Sequence, residues 1–403
     1  MHVAHFIQRY PPALGGSEAY FARLGEYLEA TGDEVTVWTT TAVNLSSFWS
    51  ERSPPTAVGG HHRAYQPLTC PGRRYLLKAL SLLPHRPWQC LTMPCNPVCP
   101  GMWRDAGRYD GPLDAVHATA FPYAFPILCG LRLARRRGVP FFLTPFLHLG
   151  DDRTRQQYTA PHLRWLLNQA DRIFVQTKLE GDSVRDLGVK PDRIVLQGLG
   201  VEPSECTGGD REAARRAWGV NPDEVAIGHL ANASVEKGTV DLLKASAKPF
   251  RVVLAGPEMP NFTSFWKSYP HPERVIRLGV LSESQKRDFF AGIDAFALPS
   301  RSDSFGLVLL EAWANGKPNL VYGAGGPGEI VRHDVDGLHA RCGDVPHLAE
   351  QLARLANDAE LRQRLGANGF ARLDREFSWD DKLERVRSEM PSRPASLLAS
   401  LVR

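Results

Sequence analysis

Asp303 and Glu311 stand eight positions apart in the stretch PSRSDSFGLVLLEAWANGKP. The apolar run 295–299 ahead of them predicts a buried strand, and the helix that follows is expected to start near Phe305. Asp303 then occupies a strand-to-helix turn, where ligands gather in open α/β sheets. The free N–H groups of the first helical turn, with the positive end of the helix dipole, suit a phosphate or a sugar hydroxyl. Glu311, two turns further on, could accept hydrogen bonds from a ribose. The same spacing also describes an amphipathic helix with a capping Asp and one exposed Glu, and spacing alone leaves both readings open.

Other residues invite chemistry less specifically. Gly15 and Gly16 follow the first predicted strand and precede a helix; without Cβ atoms their backbone can approach a diphosphate or an acceptor closely, although most Gly-Gly pairs are turns. Gly323-Ala-Gly325-Gly326-Pro-Gly328 fits G-x-G-x-x-G. It lies late in the chain, Pro327 interrupts it, and no clear acid ends a strand about 20 residues on, so it is not read as a dinucleotide fingerprint. His117 and His148 each follow the end of a predicted strand, a place for a functional imidazole and equally for a structural one. Cys90, Cys95 and Cys99, with Cys70 upstream, are spaced only loosely like a zinc site and read as reduced thiols, so no metal site is expected. Nucleophile-elbow, H-E-x-x-H and Walker A patterns are missing.

The elements that must position these residues alternate. Apolar runs at 3–7, 34–40, 114–119, 140–144 and 172–176 are separated by helical periodicity, and a second series follows at 225–230, 251–255, 275–278, 295–299 and 319–322. The second series is nearly all apolar, which fits a parallel sheet covered on both faces. Between 45 and 111 the rhythm lapses into a Pro-rich segment expected to be a long loop. The turn-rich stretch 197–210 reads as a linker. These features predict an α/β protein of two doubly wound domains, 1–205 and 206–378, with a final helical segment 379–403.

The chain has 403 residues, 43% apolar and 23% charged, enough for two or three domains at roughly 100–200 residues each. A net charge of +4 is too even for a dedicated nucleic-acid binder. No apolar run approaches the ~18 residues of a membrane span, and the odd count of seven cysteines fits a reducing compartment, so a cytoplasmic location is expected. The charge is nevertheless unevenly spread: residues 52–137 hold twelve Lys or Arg and three acids. This basic segment, with RRYLLKALSLL at 73–83, reads either as a solvated face or as a patch for an anionic membrane surface or acidic glycan.

The acids flanking Phe305 and Gly306 resemble the E-x7-E signature of retaining glycosyltransferases of family 4, which have the GT-B fold: two Rossmann-like domains facing each other across a cleft. Here the first acid is Asp303, shorter than Glu by one methylene, roughly 1.5 Å. The segment IGHLANASVEKG, 227–238, is similar to the family's strand-loop ending in Lys-Gly, with His229 where the family often has Arg. The resemblance implies that Lys237 and Asn232 meet the donor diphosphate and that Asp303 contacts the transferred sugar. It implies that Glu311 binds the ribose and that Gly15, Gly16, Ser304, Phe305, Gly306 and Leu307 complete the donor site. It directs His148 at the reacting centre, ahead of His117, and sets Gly325, Gly326 and Glu329 beside the donor. The implied reaction moves a sugar from a nucleotide diphosphate to an acceptor hydroxyl, on a glycan or a lipid-linked acceptor, by front-face substitution with no metal and no cofactor. A hinge near 198–209 would close the cleft, and the final helix would cross back to the first domain. A same-fold nucleotide-sugar epimerase, a dinucleotide oxidoreductase and a non-catalytic sugar-nucleotide-binding relative remain as alternatives.

Overall fold

The computed structural model describes residues 1–49, 61–246 and 250–390. Two sheets form it. The first contains β1 (His2–Phe6), β2 (Glu34–Thr40), β3 (His62–Tyr65), β4 (Ala115–Ala118), β5 (Phe141–Leu143), β6 (Arg172–Val175) and β7 (Ile194–Leu196), in the order β3-β2-β1-β4-β5-β6-β7. The second contains β8 (Val225–Leu230), β9 (Phe250–Ala255), β10 (Val275–Arg277), β11 (Ala295–Leu298), β12 (Asn319–Tyr322) and β13 (Gly337–Ala340), in the order β10-β9-β8-β11-β12-β13. Pairing is parallel throughout. Central strands such as β4, β11 and β12 are buried at every position, as strands covered by helices on both faces must be. In each sheet the strand order reverses beside its first strand, between β1 and β4 and between β8 and β11, which sets a ligand crevice at the strand carboxyl ends. This is the GT-B architecture, two Rossmann-like domains.

The segment 45–111 departs from the expected loop. Its described residues hold β3 and the helices Arg73–Leu80, Arg86–Thr92 and Pro100–Ala106. Two of its prolines, Pro87 and Pro100, sit in the first turn of a helix, where a missing N–H leaves no bond unmade. Pro54, Pro55 and Arg52 lie outside the described residues. The helix expected near Phe305 begins instead at Leu307, because Gly306 takes φ 89° as its N-cap.

The chain passes between the domains twice, and the two passages touch. Val201 N–H donates to the Phe377 carbonyl at 3.0 Å and Val201 bridges Ser378. A Cβ on Gly200 would lie 2.6 Å from the Trp379 nitrogen, so only glycine fits this crossing. Helix Trp379–Ser388 then lies on helix Gly16–Ala30 of the first domain. Tyr27 OH donates to Glu384 at 2.7 Å and Arg387 Nε to Asp33 at 2.9 Å. One apolar cluster runs through both domains, from Tyr20 and Phe146 to Phe305, Phe377 and Leu383. Residues 391–403 of the final segment lie outside the described residues.

Candidate active site

The turn after β8 and the turn after β11 are built against each other. A Cβ on Gly238, which has φ 73°, would overlap the Pro299 carbonyl. Arg301 N–H donates to the Glu236 carbonyl at 2.9 Å, and the Arg301 guanidinium reaches Asp241 Oδ2 at 2.6 Å, where Tyr322 OH also donates at 2.9 Å. This packing sets Lys237 Nζ 2.6 Å from Asp303 Oδ2 and 3.4 Å from the Ser302 carbonyl. Burial pushes the Asp303 carboxyl up, but the Lys237 ammonium and His148 pull it further down, so it is held ionised below its ordinary range.

His148 arrives from the first domain. It follows β5 on a loop whose Leu147 N–H donates to the buried Glu180 Oε1 at 2.6 Å. Its Nδ1 lies 2.8 Å from Ser302 Oγ of the second domain, and its ring stacks on Tyr158 at 4.5 Å. Next to it, a Cβ on Gly150 would overlap the Arg301 carbonyl, so the two domains meet backbone to backbone here. Burial, and then the Lys237 ammonium, hold the His148 pKa down to about 4, which keeps the imidazole neutral at pH 7.

Glu311 projects from helix Leu307–Ala314 into a cavity of about 250 Å³ lined by Arg23, Glu205, Lys286, Leu307 and Trp379 among others. Lys286 Nζ holds one carboxylate oxygen, Oε1, at 2.8 Å. The other, Oε2, is buried with no partner among the described residues. Burial pushes this carboxyl above its ordinary range despite the lysine. A buried acceptor left unspent in a cavity is chemically suited to a ligand hydroxyl.

The remaining donor-site candidates divide. Phe305 is buried 6.3 Å from Phe377 and turns backbone, not ring, toward the Asp303 turn. Ser304 is half-buried and Leu307 lines the Glu311 cavity. Gly326 N–H donates to the Asp303 carbonyl at 3.2 Å, and a Cβ on Gly326 would overlap Ser304; Gly325, at φ 62°, packs on the same turn. A Cβ on Gly15 would overlap the Glu18 carboxylate, while the space beside Gly16 is open. Asn232 is exposed on the loop after β8.

Three candidates are engaged elsewhere. His229 is buried with Nδ1 2.8 Å from the Ala297 carbonyl and Nε2 2.9 Å from Thr239 Oγ1, so neither ring nitrogen is left for a diphosphate. His117 is buried between His5, Phe21 and Phe174, its Nε2 2.8 Å from Thr144 Oγ1. Glu329 accepts the Lys178 and Leu179 N–H groups at 2.7 and 2.6 Å, capping a first-domain helix from the second domain.

Sequence reasoning missed Ser302, Tyr158, Lys286 and Glu180, and also Arg9 and Glu18. Arg9 pairs with Glu18 at 2.7 Å, and Ser17 Oγ donates to the same buried carboxylate at 2.7 Å, so the glycine turn is held by an internal charge pair. Ser302 lay within the motif already singled out; the others carry no local signal.

Two family models match along the chain. Residues 15–200 match the glycosyl transferase 4-like domain and residues 210–372 match glycosyl transferases group 1. Among curated proteins, a D-inositol 3-phosphate glycosyltransferase of Actinosynnema mirum is 29% identical over 236 residues, 54% of this chain and 56% of that one. One of Mycobacterium sp. (strain KMS) is 32% identical over 212 residues, 50% of this chain and 48% of that one. The chain thus spans about half the length of these relatives. Among solved structures, sucrose-phosphate synthase of Thermosynechococcus elongatus superposes with a TM-score of 0.74 at 21% identity, covering 99% of this chain and 98% of its own. Anabaena HepE, solved in complex with UDP-glucose, superposes at 0.71 and 17% identity, covering 99% of this chain and all of its own. With the two domain models lying on the two sheets, the chain belongs to the GT-B glycosyltransferases of group 1.

Proposed function

We propose that the protein is a retaining glycosyltransferase that moves a sugar from a nucleotide-diphosphate donor, UDP- or GDP-linked, to an acceptor hydroxyl on a glycan or lipid-linked acceptor. The observation that carries this reading is the Lys237–Asp303 pair at 2.6 Å, set where His148 reaches across from the other domain. With a donor bound, the Lys237 ammonium exchanges its carboxylate for the diphosphate as a point charge, freeing Asp303 to accept hydroxyls of the transferred sugar. Neutral His148 offers its second ring nitrogen to the same sugar, and the unspent Glu311 oxygen takes a ribose hydroxyl.

In the proposed step the bond from the anomeric carbon to the departing phosphate breaks and the bond to the acceptor oxygen forms on the same face. The acceptor proton goes to the departing phosphate. The protein supplies no nucleophile; it stabilises charge on the leaving diphosphate through Lys237 and the backbone amides around Phe305 and Gly306. This reading requires no metal, and it includes peripheral contact of the basic segment 52–137 with an anionic membrane surface.

Incubation with labelled UDP-, GDP- and ADP-sugars tests it. Transfer to added acceptor, or slow hydrolysis of one donor, is expected, and Lys237→Ala should lower it about 100-fold or more. Neither reaction across the panel would sink the proposal.

A further inference from the structure

The helix Arg73–Leu80 exposes apolar residues and buries its first arginine. Tyr75 and Leu76 are 82% and 60% exposed, whereas Arg73 is 3% exposed. Its guanidinium spends one nitrogen, Nη2, on the Asn96 carbonyl; Nε and Nη1 are buried with no partner among the described residues. Buried charges in folded proteins are paired or fully hydrogen-bonded. Among the described residues no carboxylate serves here: burial holds the Arg73 pKa down, and the groups that act on it are the thiols of Cys70, Cys99 and Cys95 and the like charge of Arg74.

Arg73 lines a cavity of about 340 Å³ together with Trp49, Thr69, Cys70, Gly72 and Arg74. Arg74 lies over the Trp49 ring at 4.8 Å, which orients its guanidinium at the cavity wall. Two adjacent guanidinium groups, one of them buried and underspent, have no counter-anion among the described residues. Phosphate is a group whose geometry and charge the arginine fork matches. The volume leaves room for the molecule that carries it.

We propose that Arg73 and Arg74 form a phosphate-binding site on the first domain, which takes the phosphate group of an acceptor. The site is separate from the donor groups on the second domain; its service to an acceptor rests on the transfer reaction proposed above, whereas phosphate binding itself does not. The phosphate has two possible sources, a lipid headgroup, for which exposed Tyr75, Leu76, Leu82 and Leu83 would meet acyl chains, or a soluble phosphorylated acceptor.

Calorimetric titration of the full chain with inorganic phosphate tests it, with Lys237→Ala as background so that the donor site contributes little. Binding is expected in that background and should weaken about tenfold in Arg74→Gln, whose exposed side chain folding does not need, and at least as much in Arg73→Gln. Arg74→Gln keeps the test readable if Arg73→Gln fails to fold. Absence of binding in the background chain, or equal affinity in folded Arg74→Gln, overturns the site. Co-sedimentation with phosphatidic acid vesicles that phosphate competes away assigns the group to a lipid headgroup; phosphate binding without vesicle binding assigns it to a soluble acceptor. Either outcome supports the site. Vesicle binding that neither phosphate nor Arg74→Gln reduces counts against it.

Discussion

Glu311 holds one oxygen on Lys286 and leaves the other free, and this asymmetry makes the lysine a positioning group. Replacing it with Met would leave a buried carboxyl that burial already pushes upward with no counter-charge. Lys286→Met should therefore raise the donor KM about tenfold with little change in kcat, and Lys286→Arg should restore most of it; steady-state kinetics check both. His148 carries a pH consequence. With its pKa held to about 4, the acid limb it imposes on kcat/KM falls near pH 4, well below the ordinary imidazole range. Stability behaves differently. His5 and His229 are held neutral by burial, to about 3 and about 4, and His117 is lowered as well. Below the ordinary value near 6.5 the unfolded chain takes up protons that these folded imidazoles refuse, so each costs a factor of about ten in the folding constant per pH unit. Glu180, raised to about 7 by burial, and Glu311, also raised, work in the opposite sense but are outnumbered by the lowered imidazoles, which include His148 and His162 at about 4. Denaturant midpoints should fall steadily from pH 6.5 to 4. Asp303, Glu311 and Lys237 were legible because each lies in one contiguous motif, whereas the His148–Ser302 pair spans 154 residues and exists only through the fold.

The strands that escaped the sequence reading share a place. β3, β7 and β13 are all sheet edges of three or four residues, and β3 and β7 are only half-buried. Without two covered faces β3 and β7 need no continuous apolar run, and β13, though buried, is too short to show a pattern. The central strands needed one and showed it. Proline misled in 45–111 because the same residue that breaks a helix also begins one. The short helix Gly325–Ile330 illustrates how an element can aim a distant turn: its second residue lies under Ser304 with no room for a side chain. Gly326→Ala should cost about 1–3 kcal/mol of stability by overpacking and shift the Asp303 turn. Chemical denaturation should show the first effect, and a fall in kcat/KM larger than the stability loss explains should show the second.

Across the whole molecule, the two domains are fastened by the returning helix Trp379–Ser388, by one shared apolar cluster and by a small set of directed contacts. Glu329 is the strongest of them by type, a carboxylate accepting two backbone N–H groups of the opposite domain. Glu329→Ala should loosen the domain arrangement, with a radius of gyration in solution scattering larger than that of the parent chain without donor; superimposable curves would show that the remaining contacts suffice. The two-domain plan was legible because alternating strands and helices are repeated twice with a turn-rich break between them. Which residues fasten the halves was not, since helix caps from another domain leave no periodicity. Charge follows the same division: a near-neutral total hides a basic stretch on the first domain, and one of its arginines proves to be interior.

The double crossing at Gly200 and Phe377 has a consequence for biosynthesis. Helix Trp379–Ser388 completes the first domain, covering Tyr20 and Tyr27, yet it is translated after every strand of the second. The first domain is therefore a split unit with the second inserted in it. A nascent chain must hold an unfinished apolar face on helix Gly16–Ala30 until the ribosome has delivered the whole of the insert, so the half made first is the half finished last.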